Sequence, residues 1–581
     1  MRSLLLLLAA LSALGSSMEV QVCHRRAGLA CVNEHGGYGI GVSGCGIRNG
    51  IQGTGAGSTG SRPSNTASGV PQNFSLTIDA ARFASTHKIE DLVNQVCEGG
   101  LRLPGSPGHL KTVDYIRRQL RQIPGLQLSE TNFTLANWQP KKNSMYESAQ
   151  LKVDGKKVEV VGSIAYSLPT NDSALSGPLL YIPASANIAD YNITGKVVLR
   201  DYPFLDIPTS LFSNAAYYYS PDSINHKSTY IRPFVSPPNA DLLACSLQGA
   251  IGYISAFNVS RKQLEGYYSG HAGTHWKVPG VFTGAEQYQT LLQAAAQSLT
   301  ASISIDAING SVVVPRIHAT LPGVSKETIV VATHTDGVTY VQENGPVALL
   351  TLAQYFASLP LAARNKTIMF AFEASHLAYQ LDSDKTLAKT LDATYDNGTT
   401  AFVIAVEHLG TREIEQYPNA NGTGTYLNYT GLPESILWSV GEVQPAIAAV
   451  VGVAKSRALE NTVVSPGFPP INPSNMVPTY ASMGGLGTYY TNALVPTMAL
   501  ISGPWSLWAP SFGAEALDFE RLRTEYLAIG DVILALSRYS KVELAGNYTT
   551  FRQRRASGNA TVLDIDYVDA QFITVANATY Y

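Results

Sequence analysis

The chain has 581 residues, of which 45% are hydrophobic and only 14% charged, and its net charge is −3. That length allows about two to four domains with sizeable cores. A nucleic-acid partner is excluded because no basic surplus exists to neutralise a phosphate backbone, and an intrinsically disordered chain because its apolar content would be lower and its net charge higher.

Arg2, the apolar run Leu4 to Leu11 and the small-residue site Ala13-Leu14-Gly15 read as a secretory signal over residues 1–15. The run is too short to span a bilayer, which takes about 20 apolar residues. No later stretch reads as a span, and the C-terminal end lacks the hydrophobic tail of a lipid-anchor signal. A secreted or secretory-pathway lumenal protein without a membrane anchor is expected. Asn-x-Ser/Thr sequons recur along the chain from Asn73 to Asn577, as N-linked glycans on surface loops require.

Residues 16–75 are expected to be a linker or pro-region. The stretch from Gly36 to Gly69 is rich in Gly, Ser and Thr without hydrophobic periodicity, and Arg25-Arg26 precedes it as a dibasic processing site. Arg554-Arg555 is a second such pair, in a C-terminal tail over 546–581. Of the five cysteines, Cys23, Cys31 and Cys45 crowd the N-terminus, while Cys97 and Cys245 stand apart. The odd count leaves at least one thiol unpaired, and a Cys97–Cys245 bridge is open.

Order is expected to begin near Phe74. Residues 76–98 read as a helix, and Val113, Ile116, Leu120 and Ile123 mark a second. Between 151 and 308 the texture changes to short strands such as Leu179 to Ile182, Val197 to Leu199 and Ile251 to Ile254, broken by Gly, Pro and Asn. There, His271 and His275 stand four apart, but Gly270 and Gly273 argue for a loop rather than a helical metal pair. From 309 to 545 strands alternate with helices: strands at 328–333, 367–372, 401–406 and 496–501, and helices at 346–359 and 517–539. The predicted fold is α/β, a mostly parallel sheet flanked by helices, with a β-rich insertion that splits it into 76–150 and 309–545.

Polar, metal-competent residues follow three of those strands: His334-Thr335-Asp336-Gly337 with Glu343 nearby, Glu373-Ala374-Ser375-His376, and Glu407-His408-Leu409-Gly410. Ligands of such sheets bind beyond the carboxyl ends of the strands. Imidazole and carboxylate with an open position suit a hydrolytic Zn²⁺, with Asp336 fixing the His334 ring.

Together these segments resemble the zinc exopeptidase family that includes aminopeptidase Y, bacterial leucyl aminopeptidases and glutamate carboxypeptidase. Leu101-Arg102-Leu103-Pro104-Gly105-Ser106-Pro107-Gly108 is similar to that family's N-terminal turn. Residues 151–308 resemble its inserted protease-associated (PA) domain, through Gly195-Lys196-Val197-Val198-Leu199 and Gly249-Ala250-Ile251-Gly252-Tyr253-Ile254. The resemblance implies a peptide or protein substrate and one zinc held by His334, Glu343 and Glu407, with Asp336 orienting His334. At the second metal the pattern departs. Ala374-Ser375-His376-Leu377 stands where a Glu-Glu pair is usual, no histidine follows His408, and Gly485-Leu486-Gly487-Thr488-Tyr489 replaces the segment with the last ligand. His376 is the expected substitute, as base or metal ligand. Glu373 falls one turn early, and His408, adjacent to Glu407, reads as a structural neighbour. The alternative is a non-catalytic binding relative, as the transferrin receptor is in this family.

Overall fold

Long apolar runs bounded by turns become the central strands because they can be buried on both faces. In chain order the main sheet holds β1 (Gln127–Pro140), β2 (Tyr218–Tyr219), β3 (Ala307–Leu321), β4 (Ser325–His334), β5 (Lys366–Glu373), β6 (Thr400–Val406), β7 (Ile436–Val440), β8 (Thr462–Ser465) and β9 (Thr497–Ile501). A computed structural model describes residues 77–558 except 172, 203, 225–226, 234–235, 269–274, 343, 379–382 and 468–482. The signal segment, the 16–75 stretch with Arg25-Arg26 and its three cysteines, Glu343, His271 and residues 559–581 lie outside the described residues.

Across the sheet the order is β1-β3-β5-β4-β6-β9-β7-β8-β2. Its centre, β5-β4-β6-β9, is parallel; β1, β3 and the β9–β7 step are antiparallel. The sheet is therefore mixed, with a parallel centre and one further parallel pair, β7–β8, beyond the antiparallel step. One face packs Val330, Ala332, Ala371, Val403, Ala405 and Ala499. Helix α4 (Ser383–Thr394) and the short α5 (Gly487–Asn492) cover it through Leu387, Leu391, Tyr489 and Tyr490. The opposite face, with Ile329, Val331, Phe370 and Ile404, joins the main core with α1 (Thr86–Cys97), α2 (Pro107–Arg121), α3 (Asn344–Ser358) and α6 (Phe519–Leu536). Each leucine or isoleucine buried there stabilises the fold by roughly 1.5–3 kcal/mol.

The helix expected over 76–98 starts only at Thr86, because the Ser85 hydroxyl caps it by accepting the Lys88 N–H at 3.2 Å. Strand β1 carried no apolar periodicity, since most of its length is exposed or half-buried. It forms through fourteen register partners on β3. Between β1 and β3 the chain builds a second, eight-stranded sheet from short strands lying between Ala149 and Ile305. The same segment also contributes β2, which pairs with β8 at the edge of the main sheet.

The Cys97–Cys245 bridge left open by the sequence is not formed, and both residues are buried. One expectation is corrected. The residues around Arg554-Arg555 are not an unpacked tail: they form α7 (Tyr548–Ala556), in which Arg552 pairs with Asp392 at 2.7 Å and Asp396 at 2.9 Å, and Arg555 pairs with Asp392 at 2.6 Å.

Candidate metal centre

Register places the polar residues in one row. His334 pairs with Glu373, and Glu407 follows β6 one residue past the pair Val406–Leu500. His334, Glu373 and Glu407 each follow a residue of the α4/α5-covered face by two positions, so all three side chains project from that same face at the carboxyl ends of adjacent strands.

The cluster is buried: His334 is 0% exposed, Glu407 1%, His376 1% and His408 3%. The Nε2 atoms of His334, His376 and His408 each lie 3.8 Å from the same atom, Glu407 Oε2. His334 Nδ1 is 2.7 Å from the Asp336 carbonyl, and His408 Nδ1 is 2.8 Å from the Ser502 carbonyl. A carbonyl can only accept, so both Nδ1 atoms carry the proton and both Nε2 atoms present lone pairs. Glu407 Oε1 accepts the Leu486 N–H at 2.6 Å, which turns Oε2 toward the imidazoles. The ligand atoms of His334, Glu407 and His408 lie within 4.8 Å of one another, and His334 Nε2 and Glu407 Oε2 are buried without a hydrogen-bond partner. Burial, with His334 nearby, pushes His408 down to about 3, so His408 holds no second proton at neutral pH. Converging buried acceptors need a cation, and two imidazoles with a carboxylate are a zinc donor set.

The supports are local and specific. His408 has φ 54°, a conformation that costs free energy and is held here by tertiary bonds. It directs the ring toward the carboxylate of its own neighbour, while Ser502 Oγ donates to the His408 carbonyl at 2.6 Å. Asn344 on α3 ties the next residue: its amide donates to the Leu409 carbonyl at 2.5 Å and its oxygen accepts the Leu409 N–H at 3.0 Å. Gly485, at φ 50°, lies so close to Glu407 that a Cβ would meet Oε1 at 2.1 Å. The segment standing where the resemblance expects a last histidine thus holds Glu407 through its backbone instead.

Asp336 orients His334, as expected, and does a second job as well. Its carboxylate is 3.5 Å from His334 Nδ1, and it accepts the N–H groups of His376 at 3.1 Å and Leu377 at 2.6 Å. It pins the loop carrying His376, while its carbonyl orients His334. The turn at 101–108 braces this loop from outside. Arg102, 1% exposed, donates to the carbonyls of Cys97 and Thr339, and its backbone pairs with Gly337. His109 Nδ1 accepts the Gly105 N–H, so Nε2–H donates to Thr335 Oγ1 at 2.9 Å.

Of the predicted residues, His334, Glu407 and His376 come together, with Asp336 behind them; Glu343 lies outside the described residues. His408, read from sequence as a neighbour, belongs to the cluster. Its only sequence signal is Gly410 two residues on, which does not reveal the positive φ. Glu373 is not in the cluster: His318 Nε2 bonds it at 2.9 Å, with Arg316 at 3.8 Å. The His334–Glu407–His408 set is the one group of its kind among the described residues.

Neither a protein-family model nor a curated protein matches the chain. Solved structures do. A peptidase M28 precursor from Shewanella amazonensis is 15% identical, over 77% of this chain and 92% of that one, with a TM-score of 0.55. A zinc aminopeptidase from Bacillus subtilis is 14% identical, over 77% and 94%, with a TM-score of 0.51. The fold is therefore an aminopeptidase-like α/β fold.

Proposed function

We propose that the protein is a zinc-dependent exopeptidase, an aminopeptidase-like hydrolase of peptides. The observation that carries this is the convergence of His334, His408 and Glu407 as unprotonated acceptors at the carboxyl ends of parallel strands, in a fold shared with zinc aminopeptidases. Zinc held by those three residues would supply a Lewis acid for the peptide carbonyl and for water. His334 and His408 offer fixed Nε2 lone pairs, Glu407 balances part of the charge, and Asp336 holds the His376 loop. His376 Nε2, 3.8 Å from Glu407, is the group placed to hold or move a proton in the absence of the usual carboxylate pair. Hydrolysis of a broad panel of aminoacyl and dipeptide substrates tests the reading. His376→Ala is expected to lower turnover by roughly 10²–10⁴-fold with zinc retained if it works as a base, and to lower zinc content if it is a ligand.

A second reading, a non-catalytic relative that serves binding, is favoured by one observation: Glu373, the register partner of His334, is bonded by His318 at 2.9 Å, with Arg316 3.8 Å away, rather than joining the cluster. Bound zinc with no hydrolysis of any panel member would select it.

The protein is secreted through residues 1–15 and glycosylated, and residues 151–308 serve as a PA-like module. Supporting the glycans, Asn132, Asn171, Asn192, Asn258, Asn309, Asn397, Asn421, Asn428 and Asn547 are exposed. No described helix is long and apolar enough to cross a membrane. Mass spectrometry of the mature protein before and after deglycosylation tests this: an intact Met1 and unmodified sequons would contradict it. The same spectra read cleavage at Arg25-Arg26. Cleavage at Arg554-Arg555 is not expected while Arg555 is held by Asp392.

A further inference from the structure

Away from the metal cluster, polar side chains without partners converge on one solvent-facing cavity. It encloses about 470 Å³, within the roughly 300–1,000 Å³ of sites that hold small molecules. Three elements build it. The antiparallel hairpin of Arg412–Pro418 and Thr425–Pro433 supplies Arg412, Tyr429 and Leu432. Helix α1 supplies Glu90, and the turn leading into α6 supplies Glu515, with Phe519 from the first turn of α6. None of these residues belongs to the metal cluster.

The Arg412 Nε–H donates to the Leu517 carbonyl at 3.1 Å, which fixes the plane of the guanidinium. Its two terminal nitrogens have no hydrogen-bond partner among the described residues. Asp518 Oδ2 is 3.9 Å from one of them, while Asp518 Oδ1 caps α6 by accepting the N–H groups of Glu520 and Arg521. Neither Glu90 nor Glu515 has a side-chain hydrogen bond or ion pair among the described residues. Tyr429 Oη is buried without a hydrogen-bond partner, its ring packed edge-on against Phe512 with centres 6.0 Å apart. A buried hydroxyl left unbonded costs free energy that a ligand can recover. Leu432, 57% exposed, and Phe519 add an apolar wall.

From this juxtaposition we infer that the cavity is a second binding site, separate from the metal centre, for a free α-amino acid with an apolar side chain. The open edge of the Arg412 guanidinium takes the ligand carboxylate through two parallel N–H groups. The carboxylates of Glu90 and Glu515 take its ammonium, and Leu432 and Phe519 cover its side chain. A purely anionic ligand would face two carboxylates, and a purely cationic one would leave Arg412 unmatched; a zwitterion answers both signs. Asn428, the sequon beside Tyr429, projects from the opposite side of the hairpin, because successive strand side chains alternate, so a glycan there leaves the cavity open. An apolar amino acid is also what an exopeptidase releases, but the inference requires neither turnover nor zinc.

Calorimetric titration of the full chain with L-leucine, N-acetylleucine and leucinamide tests this. Leucine is expected to bind at least about tenfold more tightly than either analogue, the scale of one charge-assisted hydrogen bond. Arg412→Met should weaken leucine by a similar factor with zinc content unchanged, and Glu515→Gln, on an exposed turn, gives the same readout if the first variant does not fold. Glu407→Gln should bind leucine as the wild type does, because its change lies at the metal centre. No leucine binding, equal affinity for leucine and either analogue, or full affinity in Arg412→Met overturns the site, and so does loss of binding in Glu407→Gln, which would place the leucine at the metal. A protein that binds leucine in this way and hydrolyses no peptide contradicts the exopeptidase reading alone.

Discussion

Glu407→Gln is expected to abolish zinc binding without unfolding the protein. The glutamine carbonyl can still accept the Leu486 N–H that Oε1 accepts at 2.6 Å, so the backbone of the 485–489 segment keeps its partner. At the Oε2 position an NH₂ group would face the Nε2 atoms of His334, His376 and His408, each 3.8 Å away in the native chain. It is a donor where His334, His408 and Glu407 present acceptors, and a donor cannot bind a cation. Zinc affinity should fall by more than the roughly 10–100-fold that losing a supporting partner costs. In the metal-free state the variant should melt at a temperature no lower than the wild type, because it relieves buried lone pairs that otherwise face one another. Metal analysis and calorimetric melting check both halves; a variant that keeps its zinc contradicts the assignment of Glu407.

Arg232→Ala is expected to be the most destabilising single change outside the cluster, by about 3–5 kcal/mol. Arg232 is 2% exposed and Glu434 0%. One guanidinium nitrogen reaches both Glu434 oxygens, at 2.9 and 3.2 Å, and the group stacks 4.2 Å from the Tyr230 ring. Arg232 belongs to the inserted segment, whereas Glu434 precedes β7 and its N–H bonds the Thr411 carbonyl. Truncating the arginine leaves a carboxylate buried and unpaired, which costs more than the pair itself contributes. The double change Arg232→Met with Glu434→Leu should recover most of the loss, since apolar groups of similar volume replace the pair without stranding a charge. Thermal denaturation of the three proteins decides it: a single variant that melts with the wild type would show that water reaches Glu434.

Much of the fold was legible because burial leaves a periodic trace. The strands at 328–333, 367–372 and 401–406 are continuous apolar runs, and all three became central strands. Strand β1 left no such trace, since its stability comes from pairing with β3 rather than from an apolar face. In the centre, His334 and Glu407 were readable because each directly follows or ends a buried strand. His408 was not, because neighbouring residues ordinarily point apart and only the positive φ at His408, fixed by Ser502 and Asn344, brings both to one point. Asp336 was readable as a partner of the His334 ring, but not that its carboxylate also accepts from the backbone of a loop forty residues away. Contacts of that kind depend on which loops meet at the sheet edge, which no local pattern encodes.

The most direct measurement is the metal content of the purified full-length protein after exhaustive dialysis at neutral pH, by elemental mass spectrometry. His334, Glu407 and His408 are the one ligand group found among the described residues, and a buried three-ligand zinc site holds its ion through dialysis. The expected result is about one zinc ion per chain, lost in His334→Ala and removed by a strong chelator with a fall in melting temperature. A dialysed protein that carries no zinc, takes up none on addition, and melts identically with and without chelator would contradict the metal centre.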